Sequence, residues 1–385
     1  MRVAIVHEWL TVYAGSEKVL AQMLEVFPDA DLFAVVDFLP DEHRRLLQGK
    51  RAKTTFIQRL PRTRTRYRSY LPLMPLAIEQ LDVTDYDVVI SNNHAVAKGV
   101  RTAPDQLHLC LCHSPMRYAW DLQEQVLRGA GLETGLKGCL ARIMLHRLRN
   151  WDRSSAAGVD RFIAISHFIA GRIAKAYRRE STVLHSPIDA GAFPLQTDKS
   201  DAYLTASRMV PYKRMDLIVR AFREMANRRL IVIGDGPGEK QIRQAAGGAG
   251  NIEFLSRVRD ATLADRMGRA KAFVFAALED LGLMPIEAMA CGTPVIALNR
   301  GGTAETVKDG QTGVLFAEQT IESIRAAVER FEQIDNWNAA AIRAHAETFD
   351  QSHWRQRFAD IVHRTWDEFA FKRPTAAKHG QKQPK

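Results

Sequence analysis

Ala272-Phe-Val-Phe-Ala-Ala-Leu-Glu279-Asp-Leu-Gly-Leu-Met-Pro-Ile-Glu287-Ala-Met-Ala-Cys-Gly292-Thr-Pro-Val-Ile-Ala-Leu298 decides the fold. Ala272 to Ala276 is a short continuous apolar run, the pattern of a buried strand. Ile286 to Ala290 reads as a helix closed by Gly292, and Pro294 to Leu298 is the next strand. Glu279 therefore sits at a strand's carboxyl end, where parallel sheets bind ligands. The amides of Asp280, Leu281, Gly282 and Leu283 lie near the helix start, where unpaired N–H groups hold hydroxyls or phosphates. Glu287 lies one turn inside. A carboxylate accepts two hydrogen bonds from a vicinal diol, so two of them flanking this turn suit a ligand with two polyol ends, such as a nucleotide sugar.

The same alternation runs through the chain. Strand patterns fall at Val3 to Val6, Leu32 to Val36, Asp87 to Ile90, Leu107 to Cys112, Phe162 to Ile165 and Thr182 to Leu184. Helical patterns include Glu17 to Phe27 and, after a Ser166 cap, Phe168 to Tyr177. A second series follows at Tyr203 to Thr205, Leu230 to Ile233, Ile252 to Leu255, Ala272 to Phe275, Val295 to Ala297 and Val314 to Phe316. The polar stretch Asp189 to Asp201 separates them, which predicts an α/β fold of two doubly wound domains, 1–190 and 191–350. Residues 351–371 read as a helix, and 372–385 as a disordered basic tail with too little apolar surface to fold.

A chain of 385 residues, 46% hydrophobic, can bury two cores. No apolar run reaches the length of a membrane helix, and Met1 to Val6 reads as a first strand in place of a signal peptide. Cys110, Cys112, Cys139 and Cys291 lack metal-ligand spacing and read as reduced core residues of a cytoplasmic protein. The net charge of +10 is local. Arg51, Lys53, Arg59, Arg62, Arg64, Arg66 and Arg68 run without an acid between them, and the tail from Lys372 is also acid-free. The remainder is near neutral. Interleaved with Phe56, Ile57, Leu60, Tyr67, Tyr70, Leu71, Leu73 and Met74, the first run suits an anionic lipid surface or a lipid-linked pyrophosphate. Such confined basicity, with no reading helix, argues against nucleic acid.

A second constellation lies at Ser207-Arg208-Met-Val-Pro-Tyr-Lys213-Arg, after the strand at Tyr203 to Thr205. Arg208 offers a planar fork and Lys213 a point charge to one pyrophosphate, and both can stabilise charge on a departing diphosphate. Gly234 and Gly236 form a glycine-rich strand exit, as do Gly301 and Gly302. Near the N-terminus, Gly15 and Ser16 stand at the positive start of an amphipathic helix. His7 and Glu8 follow the first strand. His113, Arg117 and Trp120 follow the strand at Leu107 to Cys112.

Glu279-x7-Glu287 and Arg208-x4-Lys213 together resemble the signatures of group-one, glycogen-synthase-like retaining glycosyltransferases. With Val6-His-Glu-Trp-Leu and Cys112-His-Ser-Pro-Met-Arg-Tyr-Ala-Trp120, residues 1 to about 371 resemble bacterial GDP-mannose-dependent mannosyltransferases of polysaccharide and lipopolysaccharide assembly. The resemblance implies a glycosyltransferase-B architecture: an N-terminal acceptor domain and a C-terminal nucleotide-sugar domain facing across a cleft, with the last helix crossing back. It implies that Glu279 holds sugar hydroxyls, Glu287 the ribose, Arg208 and Lys213 the phosphates, and His113 the reacting centre. Gly15, Ser16, Gly234, Gly236, Val258, Asp280, Gly282 and Leu283 are the further donor contacts, and His7, Glu8, Arg117 and Trp120 the acceptor candidates. The chain departs from the pattern at Ala14-Gly15, where two glycines are usual, at Ser256, where Gly is common, and at Leu281, where an aromatic residue is frequent. No Asp-x-Asp motif lies near the donor loops, so no metal or other cofactor is expected. The acceptor implied is a lipid-linked saccharide at the cytoplasmic face of the inner membrane, with peripheral attachment. A UDP-sugar donor, or a nucleotide-sugar epimerase of the same fold, is the alternative.

Overall fold

The computed structural model describes residues 1–372, so the tail expected to be disordered lies, beyond Lys372, outside the described residues. The described residues divide into two compact units: residues 1–164, 172–182 and 355–372 form the first, and 165–171 with 183–354 the second.

The first unit holds β1 (Val3–Leu10), β2 (Asp31–Asp37), β3 (Lys53–Thr54), β4 (Val88–Asn93), β5 (Leu107–Cys112), β6 (Arg161–Ala164) and β7 (Ser181–Val183). Their order is β3-β2-β1-β4-β5-β6-β7, and the pairs from β3 to β6 are parallel. In the second unit β8 (Tyr203–Ala206), β9 (Leu230–Ile233), β10 (Ile252–Leu255), β11 (Phe273–Phe275), β12 (Val295–Leu298) and β13 (Gly313–Phe316) are ordered β10-β9-β8-β11-β12-β13, again parallel. In each sheet the winding reverses once, between β1 and β4 and between β8 and β11. Open parallel sheets bind ligands outside the carboxyl ends of strands at such a reversal.

Strands β5, β9 and β10 keep the bounds read from the sequence, because each is a short, mostly apolar run. Strand β1 is longer than expected: His7, Glu8 and Trp9 continue it, with both His7 and Glu8 fully buried. The helix Gly135–Ser155 carries little apolar signal and was not anticipated. Cys139 lies on it and is exposed, which corrects the reading of all four cysteines as core; Cys110, Cys112 and Cys291 are buried. The final helix, Gln351–Lys372, brings Phe358 to 6.2 Å from Phe27 between ring centres, and Arg355 donates to Gln22 at 2.6 Å.

The basic segment is also less uniform than its composition. Arg51 is paired with Asp41 at 3.0 Å and Lys53 with Asp31 at 3.2 Å. Ile57 and Met74 are wholly buried, and Leu60, Tyr67, Tyr70 and Leu71 pack on the core. Phe56 and Leu73 remain exposed, as do Arg59, Arg62, Arg64, Arg66 and Arg68. No helix among the described residues is long and apolar enough to cross a membrane.

Candidate active site

In the second unit, β8 and β11 leave the sheet side by side at its reversal, and their exits carry the charged pair. Lys213 Nζ is ion-paired with Glu279 Oε1 and lies over the rings of Tyr212 and Phe275, 5.5 and 5.7 Å from their centres. Arg208, on the same β8 exit, is exposed and has no ion pair among the described residues.

Two glycine turns hold these exits in place. A Cβ on Gly234, whose φ is 147°, would stand 2.0 Å from the Ser207 carbonyl oxygen. The turn that includes Gly236 thus packs against the backbone on either side of Arg208, and Met209 N–H donates to Asp235 at 2.6 Å. A Cβ on Gly302 would meet Leu281 Cα at 2.1 Å, and its N–H donates to the Glu279 carbonyl at 2.9 Å. Both turns make their close approach to backbone beside Arg208 and Glu279.

Gly282 directly precedes the helix Leu283–Ala290, on which Glu287 is buried. Val258 is half-buried in the loop after β10, two strands from β8. Ser166 caps its helix through Ile169 N–H at 3.1 Å, as its position suggested, and also donates to the Asp280 carbonyl at 2.6 Å. Glu305 escaped the sequence reading. It accepts from the N–H groups of His167 and Phe168, each at 2.7 Å, and from His185 at 3.1 Å. Burial alone would raise its pKa, but the His185 bond and the two amides outweigh it and lower it.

In the first unit, the exits of β1, β4 and β5 meet in a buried hydrogen-bond chain. Asn92 Nδ2 donates to the Ser16 carbonyl at 3.0 Å, which fixes the orientation of its amide. The same Nδ2 then faces His7 Nδ1 at 3.1 Å, and Asn92 Oδ1 faces His113 Nε2 at 2.6 Å. His7 Nδ1 accepts, so its proton lies on Nε2, which donates to Glu17 at 3.2 Å. His113 carries its proton on Nε2, leaving Nδ1 as an acceptor. Burial raises the Glu17 carboxyl, but the hydrogen bonds from His7 and the Ala14 N–H outweigh it and hold it at about 2. Burial, aided by nearby His94 and His7, holds His113 at about 3, so the ring is neutral at neutral pH. Gly15 opens the adjoining helix Gly15–Val26.

Residues 192–347 match the family model "Glycosyl transferases group 1". This part of the chain is a group 1 glycosyltransferase domain. Among curated relatives, a GDP-mannose-dependent alpha-(1-6)-phosphatidylinositol monomannoside mannosyltransferase of Mycolicibacterium smegmatis is 28% identical, over 58% of this chain and 64% of that protein. A glycogen synthase of Pseudomonas savastanoi is 30% identical, over 60% of this chain and 49% of that one. The chain thus spans about half to just under two thirds of the relatives it matches. Among solved structures, Anabaena HepE in complex with UDP superposes with a TM-score of 0.70 at 17% identity, covering 94% of this chain and all (100%) of that one. Sucrose-phosphate synthase of Thermosynechococcus elongatus also gives 0.70 at 17% identity, over 96% and 100%. The fold is that of the glycosyltransferase-B enzymes.

Within the group 1 domain, Leu281 is buried, so it packs where an aromatic residue is frequent. Outside it, the geometry corrects two acceptor candidates. Glu8 is fully buried and its carboxylate accepts the N–H groups of His94, Ala95, Val96 and Ala97 at 2.8, 2.7, 2.8 and 3.2 Å. His7 is also fully buried, with both ring nitrogens bonded. Neither presents a polar atom to a substrate. Trp120 is half-buried, and its indole N–H donates to Asp152 at 2.8 Å. Asp152 is itself paired with Lys98 at 2.5 Å, both fully buried, and accepts from Tyr177 at 2.9 Å. Arg117 is half-buried in the loop after β5.

Proposed function

We propose that the protein transfers a sugar from a nucleotide sugar with retention of configuration, and that the reaction is mannose transfer from GDP-mannose to a lipid-linked saccharide in cell-surface polysaccharide synthesis. The observation that carries this reading is the Lys213–Glu279 pair beside exposed Arg208 at the β8/β11 reversal of a group 1 domain. A diphosphate bound there takes Lys213 for itself, which releases Glu279 to accept hydroxyls of the sugar. Arg208 and Lys213 then stabilise the charge that grows on the departing diphosphate, with no divalent ion required. The sugar's anomeric bond to the diphosphate breaks as the acceptor oxygen attacks from the same face, and the acceptor proton passes to the departing diphosphate. Glu287 binds the ribose, and His113 offers its Nδ1 to a sugar hydroxyl.

The donor assignment is supported by relatives named as GDP-mannose-dependent, the lipid-linked acceptor by their phosphatidylinositol-linked substrate names. Exposed Arg59, Arg62, Arg64, Arg66 and Arg68 favour peripheral attachment to the anionic cytoplasmic face of a membrane. The test is slow hydrolysis of a panel of nucleotide sugars, with and without a chelator. Preferential hydrolysis of GDP-mannose, unchanged by the chelator, is expected. Preference for UDP-glucose would replace the donor, release of an inverted nucleotide sugar would indicate epimerisation, and no hydrolysis of any donor would reject the reading.

A further inference from the structure

The first unit contains a cavity of about 570 Å³ that the sequence reading did not anticipate. This is within the range of ligand pockets, roughly 300–1,000 Å³. Its wall is almost wholly apolar, with Leu71, Met74, Leu127, Met144 and Leu145 giving an aliphatic lining and Trp9 an aromatic one. Methionines make such a wall adaptable to a flexible chain. The helix Gly135–Ser155 supplies Met144 and Leu145, and the segment after the basic run supplies Leu71 and Met74.

Three polar residues interrupt this wall: Arg68, His94 and Tyr118. Trp9 packs edge-on against His94 with ring centres 4.9 Å apart and against Tyr67 at 5.5 Å, and the Arg68 guanidinium lies 5.4 Å from the Tyr67 ring centre, so Arg68 and His94 flank the Trp9 end of the cavity. His94 Nδ1 and the Tyr118 hydroxyl are buried without a hydrogen-bond partner among the described residues. Buried polar groups are ordinarily satisfied, and leaving one unmade is costly, so two such atoms on residues that line one cavity call for a ligand. Desolvation lowers the His94 pKa and raises that of Tyr118, so both stay neutral, and the fixed charge there is the Arg68 guanidinium. Glu8 anchors the loop that presents His94 by accepting four of its amides, which makes that face a built one.

We propose that this cavity binds the aliphatic chain of the acceptor's lipid anchor, with a phosphate of the anchor held by Arg68, Tyr118 and His94. The assignment rests on the reading of the acceptor as lipid-linked. It adds where the anchor is recognised and by which chemistry: one anionic head at the polar end, one flexible chain along the apolar wall.

Calorimetry on the full chain with monomeric decyl phosphate, decanol and inorganic phosphate tests it without any donor. Decyl phosphate is expected to bind at least about tenfold tighter than decanol and a hundredfold tighter than inorganic phosphate. Ala141→Trp, which fills the cavity, should weaken decyl phosphate and decanol alike by tenfold or more; Val126→Trp, at an exposed rim position, should do so more mildly. Arg68→Gln should bring decyl phosphate down to decanol and leave decanol unchanged. Equal binding of decyl phosphate and inorganic phosphate, or full affinity in both tryptophan variants at an unaltered unfolding temperature, would overturn the proposal. Co-sedimentation with phosphatidic acid vesicles should survive Ala141→Trp. Its loss would assign the cavity to a bilayer lipid and overturn the acceptor assignment. Decyl phosphate binding without hydrolysis of any nucleotide sugar would leave the cavity standing and remove the transferase reading, and the converse result would do the reverse.

Discussion

The two sheet reversals solve opposite problems. At β8/β11, Lys213 and Glu279 are half-buried, charged and paired with each other, while Arg208 is open to solvent. At β1/β4, His7, Asn92 and Glu17 are buried, and the imidazoles of His7 and His113 are held in single tautomers by an oriented chain of bonds. The first arrangement is the exchangeable one on the proposed reading, since a bound diphosphate would replace Glu279 as the partner of Lys213. The second is preorganised, because its links to His7 are buried, those to Ser16 and His113 are partly so, and breaking one at Asn92 leaves several groups without partners. On the proposed reading, charge that a ligand takes over sits at a partly open strand exit, and the imidazole that presents Nδ1 is oriented through buried Asn92.

The comparison predicts a separation of effects. The largest falls on turnover: Arg208→Ala or Lys213→Ala should lower kcat/KM for the nucleotide sugar by roughly 10²–10³, with little change in unfolding temperature. Steady-state kinetics beside thermal unfolding measures both, and a large stability loss in either variant would show that the β8/β11 pair is structural. Asn92→Ala should do the opposite first. It strips partners from His7 Nδ1, the Ser16 carbonyl and His113 Nε2, and should cost about 1–3 kcal/mol in denaturant unfolding. A variant as stable as the parent would mean that the chain is not a rigid unit.

Acidification sharpens the contrast. His108, buried on β5 with Nδ1–H donating to the Gly158 carbonyl, is held by burial at about 4. Unfolded, a histidine titrates near 6.5, so between these values the unfolded chain binds more protons and stability falls as pH falls. By pH 5 this residue alone should remove about 2 kcal/mol relative to neutral pH. His113, depressed to about 3, acts in the same direction, and Glu17, held at about 2, adds a further loss below the ordinary glutamate range. Unfolding followed from pH 7.5 to 4.5 should therefore lose stability, less steeply in His108→Asn; a flat profile would contradict neutral buried histidines. The smallest effects belong to the exposed arginines. Arg64→Gln or Arg66→Gln should each weaken binding to anionic vesicles by on the order of 1 kcal/mol at low salt and leave donor hydrolysis unaltered. No change in the doubly substituted protein would make this run an ordinary solvated face.

Much of the second unit was legible because its signals are local. Apolar runs such as Leu230 to Ile233 read as strands because they are short, rich in β-branched residues and followed by glycine turns. The first unit misled where polar residues are buried. His7 and Glu8 read as residues that follow the first strand and face an acceptor, yet they continue β1 because Asn92, Glu17 and the amides of His94 to Ala97 satisfy them. Those partners lie up to 89 residues away in sequence, and no local pattern announces them. The Lys98–Asp152 pair is hidden for the same reason, since the two carry no apolar signal and meet only across the folded core.

The sequence by itself determined the alternating strands and helices, the two-sheet organisation, and the placing of Arg208, Lys213 and Glu279 on strand exits. These follow from periodicity and short-range turn chemistry, which act over a few residues. Tertiary structure alone decided that Lys213 pairs with Glu279, that the glycines brace backbone, that Glu8 and His7 face inward, and that aliphatic side chains from separated segments leave a cavity beside Arg68. Such outcomes depend on which distant groups are brought within bonding distance, and on which side of a strand or helix water is excluded. That is settled by packing, after local preference has had its say.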